Sequence, residues 1–239
     1  MASYDTPLAS LSISHVYYDP NDRISLVCAY LALLPQALCV VYATLILTTR
    51  EAEILLTFAG QLACEALNFA LKRLIKEERP PRISGKGYGM PSSHAQFVAF
   101  WSVSVTLFLL VRHNPPKVMG KVASSTHRPW SVAERGLVSL AGLIMAALVA
   151  WSRVYLGYHT GRQVVVGCGA GAGSAVVWFV FVGLLRSGGW LKWALAHPLA
   201  RRARARDLIM EEDMVQAGWE KWDARQQAEL KASGEKKGR

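Results

Sequence analysis

The stretch KRLIKEERPPRISGKGYGMPSSH, Lys72 to His94, lies between two long apolar runs and carries a dense set of anion-binding groups. Lys72 and Arg79 are seven residues apart, two helical turns, and share a face if the helix continues that far. Pro80 and Pro81 follow Arg79, so that helix must stop about there. A loop with Gly85, Gly87 and Gly89 comes next, and Pro91 opens a new segment beginning Ser92, Ser93, His94. A proline at a helix start leaves the following backbone N–H groups free, and free N–H groups at a helix N-terminus bind anions. A lysine, an arginine, a helix N-terminus and a titratable histidine are thus expected to converge on one phosphate. Taken singly, Lys72, Arg73 and Lys76 also fit an ordinary basic flank of a membrane span.

Outward from this stretch the chain is membrane-like. Of 239 residues, 52% are hydrophobic, and they gather into long runs rather than following a surface-helix period. The expected spans are residues 24–47, 54–71, 95–111, 136–151 and 164–185, giving an all-α, polytopic transmembrane helical bundle of about five spans. Pro35 is expected to kink the first. The expected organisation is a polar N-terminus (1–23), a membrane domain (24–189) and a basic amphipathic tail (190–239). In the tail, 207–230 reads as a polar helix with Trp219 and Trp222 as interface anchors, and 232–239 as disordered. No cleavable signal sequence is expected in the polar first twenty residues.

The formal charge of +10 also suits a nucleic-acid binder, but the basic residues sit in loops between apolar spans, with no soluble basic domain. Cys28, Cys39, Cys64 and Cys168 all lie inside apolar runs without metal-ligand spacing and read as small hydrophobes. No carboxylate cluster that would bind a metal is visible, and no cofactor is expected. Glu65, at membrane depth and seven residues before Lys72, either pairs with a neighbouring cation or supplies charge to a reacting histidine. Gly167, Gly169, Gly171 and Gly173 are spaced to let another helix approach closely.

A second stretch, SRVYLGYHTGRQ, places Ser152 and Arg153 at the end of one apolar run and His159 before another. The set Lys72/Arg79/Pro80, Pro91/Ser92/Ser93/His94 and Ser152/Arg153/His159 resembles the three-part signature of the type 2 phosphatidic acid phosphatase superfamily, in the same order. YGMPSSH and SRVYLGYHT look most like its dolichyldiphosphatase branch. The superfamily usually carries aspartate four residues after the second histidine, where this chain has Gln163. A glutamine carbonyl still accepts an imidazole N–H but brings no charge, and the resemblance makes it a mark of that branch.

The resemblance implies an enzyme that hydrolyses dolichyl diphosphate, a membrane-borne polyprenyl diphosphate, to dolichyl phosphate and phosphate, in support of N-glycosylation. A phosphatase of phosphatidate or another lipid monophosphate, and a non-catalytic lipid binder, remain as alternatives. By resemblance, Lys72, Arg79, Arg153, Ser92 and Ser93 bind phosphoryl oxygens, His159 attacks phosphorus and His94 protonates the leaving oxygen. The cations are expected to keep His159 neutral, as a nucleophile requires.

Loop charge sets the expected orientation. The 112–135 loop and the tail are basic and share one side, which the positive-inside rule makes cytosolic. Both motif stretches then face the lumen. The ending Lys236-Lys237-Gly238-Arg239 resembles a retrieval signal of endoplasmic reticulum membrane proteins.

Overall fold

The structure is a computed structural model and describes residues 9–11, 16–81, 87–113, 130–210 and 214–237. Most of the expected 112–135 loop, residues 82–86 including Gly85, and Gly238-Arg239 of the basic ending lie outside the described residues.

A short antiparallel ribbon, β1 (Ala9–Leu11) and β2 (Val16–Tyr18), precedes the helices. Then come α1 (Arg23–Leu31), α2 (Leu34–Thr49), α3 (Ala52–Ile75) and α4 (Ser93–Leu107), the last continued by a π-helical turn, Phe108–Arg112. After these follow α5 (Val132–Tyr155) and α6 (Gly161–Ser187). The tail forms α7 (Trp190–Ala196), α8 (Pro198–Arg202) and α9 (Met214–Lys237). Among the described residues, five helical stretches are long and apolar enough to cross a membrane: 23–49, 52–75, 93–112, 132–155 and 161–187. Each contains its expected span and is longer at both ends, because Lys72, Arg73, Ser93, His94 and Arg153 are helical as well. Large apolar side chains such as Leu47, Leu74, Val165 and Val177 point outward, as lipid-facing positions do.

The first span is two helices rather than one kinked helix. Pro35, which cannot donate to a helical ladder, sits in the first turn of α2, and the chain breaks at Ala32–Leu33. In the tail, the helix expected from Asp207 begins only at Met214, because Asp207 is drawn into an ion pair with Arg186. It also runs through Ala232 to Lys237, which the sequence reading made disordered. No proline interrupts its alanine, glutamate, lysine and glutamine residues, all strong helix formers.

At the centre, α4 packs against α6. A Cβ on Gly171 would lie 2.2 Å from the Gln96 carbonyl oxygen, and one on Gly167 2.7 Å from that of Ser92. Gly169 and Gly173 face open space, so only the Gly167/Gly171 pair serves the close approach. A buried amide pair joins α3 to α4: Asn68 Nδ2 donates to Gln96 Oε1 at 2.7 Å, and Gln96 Nε2 donates to the Cys64 carbonyl at 2.8 Å. Cys28 and Cys64 are buried, Cys39 and Cys168 half-buried, and all four are free thiols.

The end of the bundle away from the motifs is tied by charge. Glu53 accepts from Arg112 and from Arg186, each at 2.6 Å. Fully buried Glu51 accepts from the backbone of Leu208 and Ile209 and pairs with Arg206, clamping the tail to the α2–α3 turn. Removing one partner of the buried Arg112–Glu53 pair costs about 3–5 kcal/mol, since the other charge is stranded.

Candidate active site

The other end gathers the C-terminus of α3, the N-terminus of α4, the C-terminus of α5 and the N-terminus of α6. These ends come together because successive spans run antiparallel, so charged residues flanking separate apolar runs meet at one membrane edge.

Arg153 lies in the last turn of α5 and is 3% exposed. Its guanidinium stacks on Tyr158, with Cζ 4.1 Å from the ring centroid. The chain then folds back: Tyr158 N and His159 N both donate to the Arg153 carbonyl, which puts His159 beside the arginine that precedes it by six residues. Tyr158 is fixed in turn by Tyr17, whose backbone N–H donates to its hydroxyl at 2.7 Å. Arg153 Nε and Nη1, Arg79 Nε and Ser92 Oγ are buried with no hydrogen-bond partner among the described residues. Unpaired buried donors are costly.

The N-terminus of α4 shows the same openness. The α5 and α6 helices begin with capping boxes, Ser131/Glu134 and Thr160/Gln163, whereas Ser92 heads α4 with no side-chain cap. The Ser92 N–H is engaged by the Gln163 carbonyl at 3.1 Å. Ser93 and His94 form the first turn of α4, whose leading backbone N–H groups have no partner within the helix.

His159 is 4% exposed, and its pKa is pushed down to about 4. Burial is the main cause; Arg153, Arg79 and Lys72 add to it, and a hydrogen bond with Gln163 opposes it. The ring is therefore neutral at physiological pH. Its tautomer follows from Gln163, which is fully buried. Gln163 Nε2 donates to the Glu77 carboxylate at 2.9 Å and to the Glu78 carbonyl at 2.8 Å. Both partners are pure acceptors, so the amide nitrogen must face them and Oε1 must face His159 Nδ1, 3.1 Å away. Nδ1 therefore carries the proton, and Nε2 keeps a free lone pair.

His94 belongs to the same cluster, close enough to Arg153, His159 and Lys72 for their charges to act on it, and its Nε2 lies 3.2 Å from the Ala32 carbonyl. Glu65 lines a cavity of about 220 Å³ together with Ser93, His94, Gln36 and Pro35. The carboxylate that meets Gln163 is Glu77, which the sequence reading passed over. Gly89 completes that contact, because a Cβ there would lie 2.8 Å from both Gln163 amide atoms. All of Lys72, Arg79, Ser92, Ser93, His94, Arg153, His159 and Gln163 thus stand at this one end. Among the described residues no group of three or more His, Cys, Asp or Glu side chains has metal-binding geometry.

Five membrane-length helices, with unpaired buried guanidinium nitrogens among the described residues gathered at one edge, define a multi-span helical membrane protein. The chain belongs to the PAP2 superfamily, whose profile matches residues 51–187. A Neurospora crassa protein provisionally named a dolichyldiphosphatase is 53% identical over 99% of both chains. Dolichyldiphosphatase 1 of Homo sapiens is 38% identical over 72% of this chain and 70% of its own. Dolichyldiphosphatase of Saccharomyces cerevisiae is 31% identical, covering 79% and 76%. The crystal structure of a transmembrane PAP2 type phosphatidylglycerolphosphate phosphatase from Bacillus subtilis shares the fold, with a TM-score of 0.52 at 23% identity, over 66% of this chain and 75% of that one.

Proposed function

We propose that this protein is a membrane hydrolase that converts dolichyl diphosphate to dolichyl phosphate and inorganic phosphate. The observation that carries the reading is the set of unpaired buried donors on Arg153, Arg79 and Ser92 beside a neutral His159 with a free Nε2 lone pair. Similarity to dolichyldiphosphatases over nearly the full chain supports the lipid diphosphate as substrate.

The terminal phosphoryl group sits among Lys72, Arg79, Arg153 and the α4 N-terminus. Fixed cations there stabilise charge on the equatorial oxygens and align the phosphorus for in-line transfer. His159 Nε2 attacks phosphorus, and the bond to the bridging oxygen breaks. Dolichyl phosphate leaves, its oxygen taking the Nδ1 proton of a His94 imidazolium, the form the bound anion favours. Water then cleaves the P–N bond, its proton returning to His94 Nδ1, which releases phosphate and restores neutral His159. Basic loops on the opposite side support an orientation with the site in the lumen of the endoplasmic reticulum.

The test is phosphate release by the purified protein from dolichyl diphosphate and from phosphatidate, with acid-labile phosphoenzyme trapped in parallel. Faster release from the diphosphate and loss of the trapped species in His159→Ala are expected. Phosphatidate as the better substrate would replace the lipid-diphosphate assignment with a lipid-monophosphate one. Binding of either lipid without phosphate release would make the protein a non-catalytic binder. A glycosylation acceptor placed at residues 82–89 is expected to be modified in microsomes, and one at 113–128 to remain unmodified.

A further inference from the structure

We propose that Glu77 is a positioning residue for the nucleophile, acting through the Gln163 carboxamide to stabilise the charge that His159 gathers as it takes up the phosphoryl group. The inference rests on the catalytic reading of His159 given above. It starts from a three-membered chain in which His159 Nδ1–H donates to Gln163 Oε1 at 3.1 Å and Gln163 Nε2–H donates to Glu77 Oε1 at 2.9 Å.

The chain is built rather than incidental. Gln163 is fully buried, and all its hydrogen-bonding capacity is used, since Oε1 also accepts from Thr160 N at 3.3 Å and Nε2 also donates to the Glu78 carbonyl. Glu77 is held in place from the backbone: its carbonyl accepts from Gly89 N at 2.7 Å, and Gly89 has no side chain to push the amide aside. The loop after α3, the loop before α4 and the first turn of α6 therefore close on one amide.

Two acceptors fix the amide orientation, and they differ in what they add. The Glu78 carbonyl orients the amide but carries no net charge. The Glu77 carboxylate does both. When His159 Nε2 bonds to phosphorus, the ring keeps its Nδ1 proton and becomes cationic. That charge polarises the Gln163 amide, and an anion on the far side of the amide strengthens both hydrogen bonds together. A directly bonded carboxylate would do the same in one step; here the amide places the negative charge one residue further back. Among the described residues, the other charged or titratable groups that act on His159 are Lys72 from α3, Arg79 from the following loop, His94 from α4 and Arg153 from α5. The three Lys and Arg side chains are cations, which makes Glu77 the counterweight on the nucleophile's rear side.

Three variants test this, measured beside wild type and His159→Ala. Glu77→Gln keeps an acceptor for Gln163 and removes only charge. It is expected to lower kcat about 10- to 100-fold, the scale seen for carboxylates that orient metal-bound histidines, with KM little changed, because Glu77 does not touch substrate. The acid limb of kcat/KM should move to lower pH, since the imidazolium loses an anion. Gln163→Glu sets two carboxylates face to face, which must then share a proton, and activity should fall again. The transposed pair Glu77→Gln/Gln163→Glu returns a single charge to the chain, now adjacent to His159, and is expected to exceed the product of the two single losses. Wild-type kcat in Glu77→Gln overturns the inference. So does a double variant no better than that product, whichever of the variants is the less stable. An active His159→Ala protein strikes the catalytic reading instead, which keeps the two failures apart.

Discussion

His94 Nε2 meets the Ala32 carbonyl oxygen at 3.2 Å, at the break between α1 and α2. A carbonyl only accepts, so Nε2–H donates to it, which leaves Nδ1 to carry the proton that the charged ring gives away. A continuous helix would use that carbonyl for its own ladder; the break that Pro35 imposes turns it toward α4. The sequence thus spends a helix interruption on orienting the proposed proton donor. General acid catalysis is worth roughly 10²–10⁴-fold, and less as the leaving group becomes a weaker base. A lipid phosphate leaves from a diphosphate more readily than an alkoxide leaves from a monophosphate. His94→Ala is therefore expected to slow monophosphate hydrolysis more than diphosphate hydrolysis, whereas His159→Ala abolishes both. Equal losses on the two lipids in His94→Ala would remove His94 from the proton-donor role.

His159 sets a pH dependence whose sign follows from its depressed pKa. Protonation blocks the Nε2 lone pair, so activity is present above the folded-state pKa and lost as pH falls through it. The acid limb of kcat/KM is expected near pH 4 rather than near 6.5. Stability follows the same direction. The unfolded chain takes up this proton more readily, so the stabilising contribution of neutral His159 is full above about pH 6.5 and drains away toward pH 4. Phosphate release and thermal unfolding, each measured from pH 3.5 to 8, check both statements. An activity limb at pH 6.5 would mean that burial and the three cations do not act on this ring.

The span pattern and the cation–histidine motifs were legible because each places charge where a membrane chain avoids it. Lys72, Arg153 and His159 stand at the ends of long apolar runs, and only a shared polar site explains them together. Glu77 was not legible: in KEER an acidic residue among basic ones reads as solvated, and its contact with Gln163 spans 86 positions. The Thr160/Gln163 capping box follows from T-x-x-Q alone, but the second duty of that glutamine depends on a distant loop closing over it. The tail helix ran past its expected end because helix propensity prevailed over polarity, and the N-terminal ribbon pairs residues too few and too varied to announce a strand.

Arg153 separates two contributions that a lysine splits. Its Nε and Nη1 have no hydrogen-bond partner among the described residues, which leaves them for the proposed phosphoryl group, while its face rests on Tyr158. Arg153→Lys keeps a positive charge beside His159 but loses the planar fork and the stacking. It is expected to lower kcat/KM about 10²-fold or more, the scale for losing a fixed donor to transition-state charge, while the acid limb stays in place. Arg153→Gln also removes the charge, so the limb should move to higher pH. A limb that moves alike in both variants would contradict the electrostatic assignment.

The packing of α4 on α6 gives a control that leaves the chemistry untouched. The Gly171 Cα faces the Gln96 carbonyl so closely that an added methyl would stand 2.2 Å from that oxygen, whereas Gly169 on the same helix faces open space. Backbone lies on both sides of the first contact, so no side-chain rotation relieves it, and the helices must separate. Overpacking of this kind costs about 1–3 kcal/mol, and here it also pulls on the Asn68–Gln96 pair and on the Ser92 N–H bond to the Gln163 carbonyl. Gly171→Ala is expected to lower the unfolding temperature in detergent and to lower kcat, because separating the helices loosens the α4 and α6 N-termini that hold His94 and Gln163. Gly169→Ala is expected to leave both unchanged or to raise stability slightly through its better helix propensity. Equal behaviour of the two alanine variants would mean that α4 and α6 do not approach through Gly171.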